Sequence, residues 1–335
     1  MLITNTSHSR SNSAMLLFIC GFPGGGTDLI KTILNAHPDV FINGEMPFLA
    51  NLTKYGIDHS TTFSDNANIK SFQLLLKRLD VWGNLNNIEY DFSSDLHRDE
   101  ILTIEDILRI CFSKQNKQVW GNKTPQNTEN IDLLNQLFPK ARFLIITRDV
   151  RDVCLSWKNK WSKDMVFCAQ KWADRMGKGW ISTALIQKER YLYVKFEDIL
   201  DFPDKEIREI CRFMDIPFSE RMLEHHRFTE QDVDGKLNYG EPIIMNNKEK
   251  WKFQLSKKLT TRIEEIAYDT MNILGYERAY ASNRRSITRS EILRGRFWDS
   301  LTMLFVGNVA SKHNTFRNRL NFVTFEIRKL IMKRL

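Results

Sequence analysis

Residues 18 to 30 read FICGFPGGGTDLI: an apolar run breaks into three consecutive glycines and restarts with helical spacing. That order predicts a buried strand over 15–22, a tight loop, and a helix from Asp28 through Ala36 that ends at His37-Pro38. Glycines between strand and helix let backbone N–H groups converge on an anion at the helix N-terminus, where the helix dipole also favours negative charge. A tight turn that holds no ligand is the plainer alternative. Gly21 to Gly26 keeps the spacing of GxxxxGK[ST], but Thr27 and Asp28 stand where lysine and the hydroxyl residue belong. Without that lysine, and without an acidic strand end to hold magnesium, ATP hydrolysis is disfavoured.

The remaining chain extends this unit into a sheet. Apolar strands are predicted over 142–147, running into Arg148, and over 191–194, running into Lys195-Phe196. Strands alternating with helices argue an α/β, P-loop-like three-layer fold with a central parallel sheet and right-handed crossovers. Such sheets bind ligands beyond the carboxyl ends of their strands, where Gly21 to Asp28, Arg148 and Phe196 all fall. Residues 51–118 read as a mostly helical insertion over a site, and the helical period from Lys248 stops at Gly275, a C-cap. With 335 residues, 42% hydrophobic, the chain can bury a sizeable core. We expect a disordered tail over 1–14, one large domain over 15–280, and a C-terminal tail of basic amphipathic helices over 281–335.

The formal charge of +8 is concentrated in that tail, which from Arg284 onward carries 12 basic and three acidic residues, net +9. Phe316, Leu320, Val323, Ile327 and Leu330 recur at helical spacing among arginines and lysines, a pattern suited to an anionic membrane surface contacted through residues 285–335. Packing on the domain, or on a second subunit in a homo-oligomer, is the alternative. No aromatic array suggests nucleic acid. Residues 1–14 lack the apolar core of a signal peptide and no stretch is long enough to span a bilayer, so a cytoplasmic enzyme, peripheral to the membrane, is expected. The five cysteines form no CxxC pair and read as reduced thiols, and His37, His225 and His226 match no metal-ligand spacing.

Further strings follow the loop in order: Ala36-His37-Pro38-Asp39-Val40 and Gly44-Glu45, then Trp120-Gly121-Asn122-Lys123-Thr124-Pro125, FLIITRDVRDVCLSW, YLYVKFEDIL, ICRFMDIPF, Lys250-Trp251 and Leu274-Gly275-Tyr276. In this collinear series, from about 15 to 278, the chain resembles the sulfotransferases that use 3′-phosphoadenosine-5′-phosphosulfate (PAPS), especially the tyrosylprotein and bacterial branches. The resemblance implies that Gly24, Gly25, Gly26, Thr27 and Asp28 hold the 5′-phosphosulfate, and that Arg148 and Ser156 hold the 3′-phosphate. It implies Glu45 as the base for the acceptor and Lys123 as the cation on the bridging oxygen, with no metal. Phe196 stands near the place of adenine or in the core. Arg151 reads as a solvated residue at a helix start. The implied reaction moves a sulfonate to a hydroxyl or amine, on a glycan, a lipid-linked saccharide or another small acceptor.

One position departs from that pattern. The family's loop usually carries arginine or lysine where this chain has Gly24. Losing a donor to the transferring group typically costs about 10²–10³ in rate. Lys250, or Lys248, is the stand-in that the sequence suggests. The rival reading is a nucleotide-binding scaffold of the same fold whose catalysis weakened with that loss.

Overall fold

The computed structural model describes residues 14–47, 49–63, 66–79, 102–112, 117–228 and 242–305. The tail expected before residue 14 and the apolar stripe from Phe316 to Leu330 lie outside them.

Five strands form one sheet: β1 (Met15–Cys20), β2 (Val40–Asn43), β3 (Val119–Lys123), β4 (Arg142–Thr147) and β5 (Tyr191–Lys195). All neighbours are parallel, in the order β2-β3-β1-β4-β5. Registers such as Ile19 opposite both Lys123 and Leu144, and Thr147 opposite Lys195, align the carboxyl ends along one edge. Strands β2 (VFIN) and β3 (VWGNK) escape the sequence reading because each has only two or three apolar residues in a row before a polar residue or glycine. Such short apolar runs give a buried-strand pattern little to work on.

Side chains alternate across the sheet, as the two-residue strand period requires. From β1, Leu16, Phe18 and Cys20 join one core, and Leu17 and Ile19 join the other. The second core is closed by the loop helix α1 (Thr27–Asn35), through Ile30, Ile33 and Leu34, and by helices Phe196–Asp201 and Pro203–Phe213. The first is closed by α2 (Val150–Trp161), α3 (Met165–Thr183) and α4 (Lys257–Ile273), with Trp172 fully buried. The insertion joins it too, through Phe72 and Leu76 of helix Asn66–Leu79 and Ile107 of helix Ile104–Phe112.

Helix α4 ends as expected: Gly275 adopts φ 69°, and Tyr276 N–H donates to Met271 O at 2.8 Å. Beyond it, α5 (Arg289–Phe305) lies against the body. Glu291 accepts from Arg262 of α4 at 2.8 and 2.9 Å, and Asp299 pairs with Lys171 of α3 at 3.0 Å. Gly295 sits so close to α3 that a Cβ would come within 2.4 Å of Phe167. Leu293 and Phe297 stay exposed. None of the described helices is long and apolar enough to cross a membrane.

Candidate functional site

The order of strands decides what meets at the sheet edge. Moving from β2 to β5, their carboxyl ends deliver Glu45, Lys123, the glycine loop, Arg148 and Phe196 in turn. The chain turns left from β1 to β2 and later right to β4, so the topological switch lies between β1 and β4, where crevices form in such sheets.

The loop is shaped for glycine. Gly24 has φ 80° and Gly26 φ 96°, in the left-handed region that L-residues resist. A Cβ on Gly26 would lie 2.1 Å from Phe196, and one on Gly24 3.1 Å from Ser156 Oγ. Gly25 N–H donates to Phe22 O at 2.8 Å, closing the turn, and Gly21 N–H donates to Thr128 Oγ1 at 2.6 Å. No side chain caps α1, so its first amides, from Thr27 and Asp28 on, are those a helix start leaves without intrahelical partners.

Arg148 lies beside this loop, 7% exposed. Its Nη1 donates to Gly24 O at 3.0 Å and its Nη2 to Asn247 O at 2.8 Å, while its buried Nε lacks a partner. Burial pulls its pKa down, against the charges of Asp152, Glu197 and Asp149. Phe196 is buried, with the Arg148 guanidinium 4.5 Å from its ring centroid and Gly26 against its edge, so it packs on both the arginine and the loop. The structure thus brings Gly24, Arg148 and Ser156 to one place.

At the other end, Lys123 is 7% exposed and bonds two carboxylates, Asp28 at 2.6 Å and Glu45 at 2.8 Å. Burial would lower its pKa, but the two acids raise it. Burial works against the charge of Asp28 as well, yet Lys123 holds that carboxyl below its usual value. The triad therefore carries one net negative charge. Lys248 pairs with Asp201, and Lys250 is exposed where helix Trp251–Gln254 begins.

Arg151 corrects the sequence reading. It is 5% exposed, and its guanidinium is bonded to Asp149, to Glu264 at 2.6 Å and to Glu277 O at 3.0 Å, and lies 3.7 Å from the Trp251 ring centroid. Glu264, its side chain wholly buried, also accepts the amides of Ala279, Tyr280 and Ala281. Glu197 accepts from Asp149 N–H and from the Tyr276 hydroxyl. These groups pin the start of α2, next to Arg148, and no sequence pattern signals them because the partners lie up to 126 residues apart. His37 has a structural place, with Nε2 2.9 Å from Pro217 O and Nδ1 accepting from Asp39 N–H.

A parallel sheet that presents a glycine loop, a buried lysine and a buried arginine along one edge is the frame of a nucleotide-dependent group transferase. The chain belongs to the sulfotransferase family, whose model matches residues 17–220. It is 23% identical over 282 residues to a provisionally named protein-tyrosine sulfotransferase of Caenorhabditis briggsae, covering 80% of this chain and 91% of that one. To the protein-tyrosine sulfotransferase of Drosophila melanogaster it is 22% identical over 285 residues, 81% of this chain but only 53% of the relative. The fold matches a sulfotransferase domain of the Synechococcus PCC 7002 olefin synthase with TM-score 0.56 and 17% identity, over 83% of this chain and 99% of that domain. A sulfotransferase domain from the curacin biosynthetic pathway gives 0.54 and 18%, over 80% and 100%. The kinship corrects the expected cytoplasmic location: the relatives are protein-tyrosine sulfotransferases, which are Golgi membrane enzymes.

Proposed function

We propose that the protein is a PAPS-dependent sulfotransferase that moves a sulfonate to a hydroxyl or amine. The observation that carries this reading is the convergence of Gly24, Arg148 and Ser156 at the switch point, with Lys123 and Glu45 at the far side of the same loop. The fit rests on the cradle itself. A side chain at 24 or 26 is strained by positive φ, at 26 a Cβ would also meet Phe196 at 2.1 Å, and Arg148 keeps an unpartnered buried Nε.

PAPS supplies an activated sulfonate on a good phosphate leaving group. In this reading the amides of Gly26, Thr27 and Asp28 hold the 5′-phosphosulfate, with Gly25 keeping the turn closed. Arg148 and Ser156 hold the 3′-phosphate, which separates this nucleotide from AMP. Lys123 neutralises charge on the departing phosphate, and Glu45, 35% exposed, takes the acceptor proton. Transfer of this kind depends mainly on positioning and charge, as phosphoryl transfer does. A glycan or lipid-linked saccharide is our proposed acceptor class, and the names of the relatives add a tyrosine phenol to the acceptors to be tried. Residues 285–335 are proposed to contact an anionic membrane, on the strength of their net charge of +8. The scaffold reading is favoured by one observation, the missing cation at Gly24.

Calorimetric titration with 3′,5′-adenosine bisphosphate and AMP tests the nucleotide assignment. Arg148→Ala should weaken the bisphosphate about 10- to 100-fold, the size of a lost charge-assisted bond, and AMP far less. Equal losses would remove Arg148 from the 3′-phosphate. Transfer of ³⁵S from PAPS to any acceptor separates enzyme from scaffold.

A further inference from the structure

Gly24 leaves the loop without its usual cation, and most described cations nearby are committed elsewhere. Arg148, bonded to Gly24 O and Asn247 O, is assigned above to the 3′-phosphate, and Lys123, bonded to Asp28 and Glu45, to the leaving oxygen, while Lys171 pairs with Asp299 and Lys248 with Asp201. Arg175 of α3 has no such assignment. Its guanidinium carbon lies 5.1 Å from the centroid of the Phe22 ring, two residues before Gly24. Its ion pair is a single 3.1 Å bond from Nη2 to Glu129, a carboxylate 42% exposed. The side chain is 17% exposed, and its Nε is buried without a hydrogen-bond partner.

An arginine this far from water ordinarily has its fork filled, because an unused buried donor is costly. Burial lowers the pKa of Arg175, and the charges offsetting this include Glu129 and, across the loop, Glu45. The guanidinium therefore lies within electrostatic reach of the carboxylate proposed as base. Phe22 stacks on Trp157 with centroids 5.1 Å apart, and the Trp157 indole N–H donates to Pro23 O at 2.7 Å. That wall fixes the loop against α2, and Arg175 of α3 lies on the Phe22 ring that forms part of it.

We propose that Arg175 supplies, from α3, the cation that the loop lacks at Gly24, and contacts the transferring sulfonate directly. The proposal rests on the sulfotransferase reading above. The S–O bond to the bridging phosphate oxygen breaks and takes its electron pair to the phosphate. A new S–O bond forms to the acceptor oxygen, whose proton passes to Glu45. Arg175 holds sulfonate oxygens through the step, with Lys123 on the leaving oxygen. A planar guanidinium suits the task because its parallel N–H groups match two oxygens of one anion.

The sulfonate is what distinguishes PAPS from 3′,5′-adenosine bisphosphate, so binding alone tests the idea. Both nucleotides are titrated into the full chain and into its R175M and R175K variants. R175M should weaken PAPS tenfold or more and leave the bisphosphate within threefold, and R175K should recover part of the loss. If R175M does not fold, R175K carries the test with a smaller loss confined to PAPS. Equal weakening of both nucleotides, or no weakening of PAPS, overturns the role of Arg175 and leaves the sulfotransferase reading standing. A natural protein that binds neither nucleotide overturns that reading, and this proposal with it.

Discussion

Asp28 is an unexpected neighbour for an anion. It is the second residue of α1, its side chain 49% exposed, and its carboxylate lies 2.6 Å from Lys123 Nζ. Burial raises its pKa and Lys123 more than reverses this, so it is ionised at neutral pH. A phosphosulfate seated on the first amides of α1 meets that charge and must share Lys123 with it. Two unit charges about 5 Å apart repel by about 0.8 kcal/mol in water and about 3 kcal/mol at an effective dielectric of 20. Half exposure places Asp28 in the lower part of that range, about 1–2 kcal/mol. Asp28→Asn keeps the shape and removes the charge, so 3′,5′-adenosine bisphosphate should bind about 5- to 30-fold more tightly by calorimetry. AMP should gain about as much, because its 5′-phosphate meets the same carboxylate, and adenosine should gain nothing. Raising salt from about 20 to 150 mM should shrink the difference, since screening shortens the reach of an exposed charge. Unchanged or weaker binding by the variant would refute the reasoning and make Asp28 the tether that holds Lys123 in place.

Two further outcomes concern the C-terminal part. Arg262 and the Thr288 N–H and hydroxyl draw the Glu291 carboxyl down to about 2. A depressed carboxyl stabilises the fold above its unfolded value near 4.5 and loses that contribution as pH falls toward 2, so the melting-temperature gap between the natural protein and Glu291→Gln should narrow over that window; a gap that widens there contradicts the assignment. Deleting residues 306–335 should leave a folded, nucleotide-binding protein that no longer sediments with phosphatidylserine vesicles, and undiminished sedimentation would take the membrane contact away from that segment.

Much of the site was legible because it lies close to contiguous signals. The loop, Arg148 and Phe196 each follow a run of four or more apolar residues, so pattern alone put them at the sheet edge. Glu45 and Lys123 were legible only through resemblance, since the apolar runs of β2 and β3 break off after two or three residues. Gly121 shows what was hidden: it sits in β3, where a Cβ would meet Leu17 O at 2.1 Å. Arg151 was misjudged for a different reason. Its charge looks solvated in sequence, and only folding brings Glu264 and Glu277 to it across more than 110 residues. Gly24 carried a hidden constraint as well. At φ 80° and 3.1 Å from Ser156 Oγ, the position resists the very arginine whose absence the sequence revealed.

The contacts of Glu264 also bear on when the pocket can form. This carboxylate joins Arg151, at the root of the arginine beside the loop, to three successive amides over 279–281. On the ribosome, every strand of the sheet is made before those amides exist. A nascent chain stopped at the end of α4 would bury Glu264 with Arg151 as its partner and three hydrogen bonds missing, a costly arrangement for a carboxylate. The sheet is therefore laid down early, while the nucleotide end of the site is finished only after residue 281 has emerged from the exit tunnel.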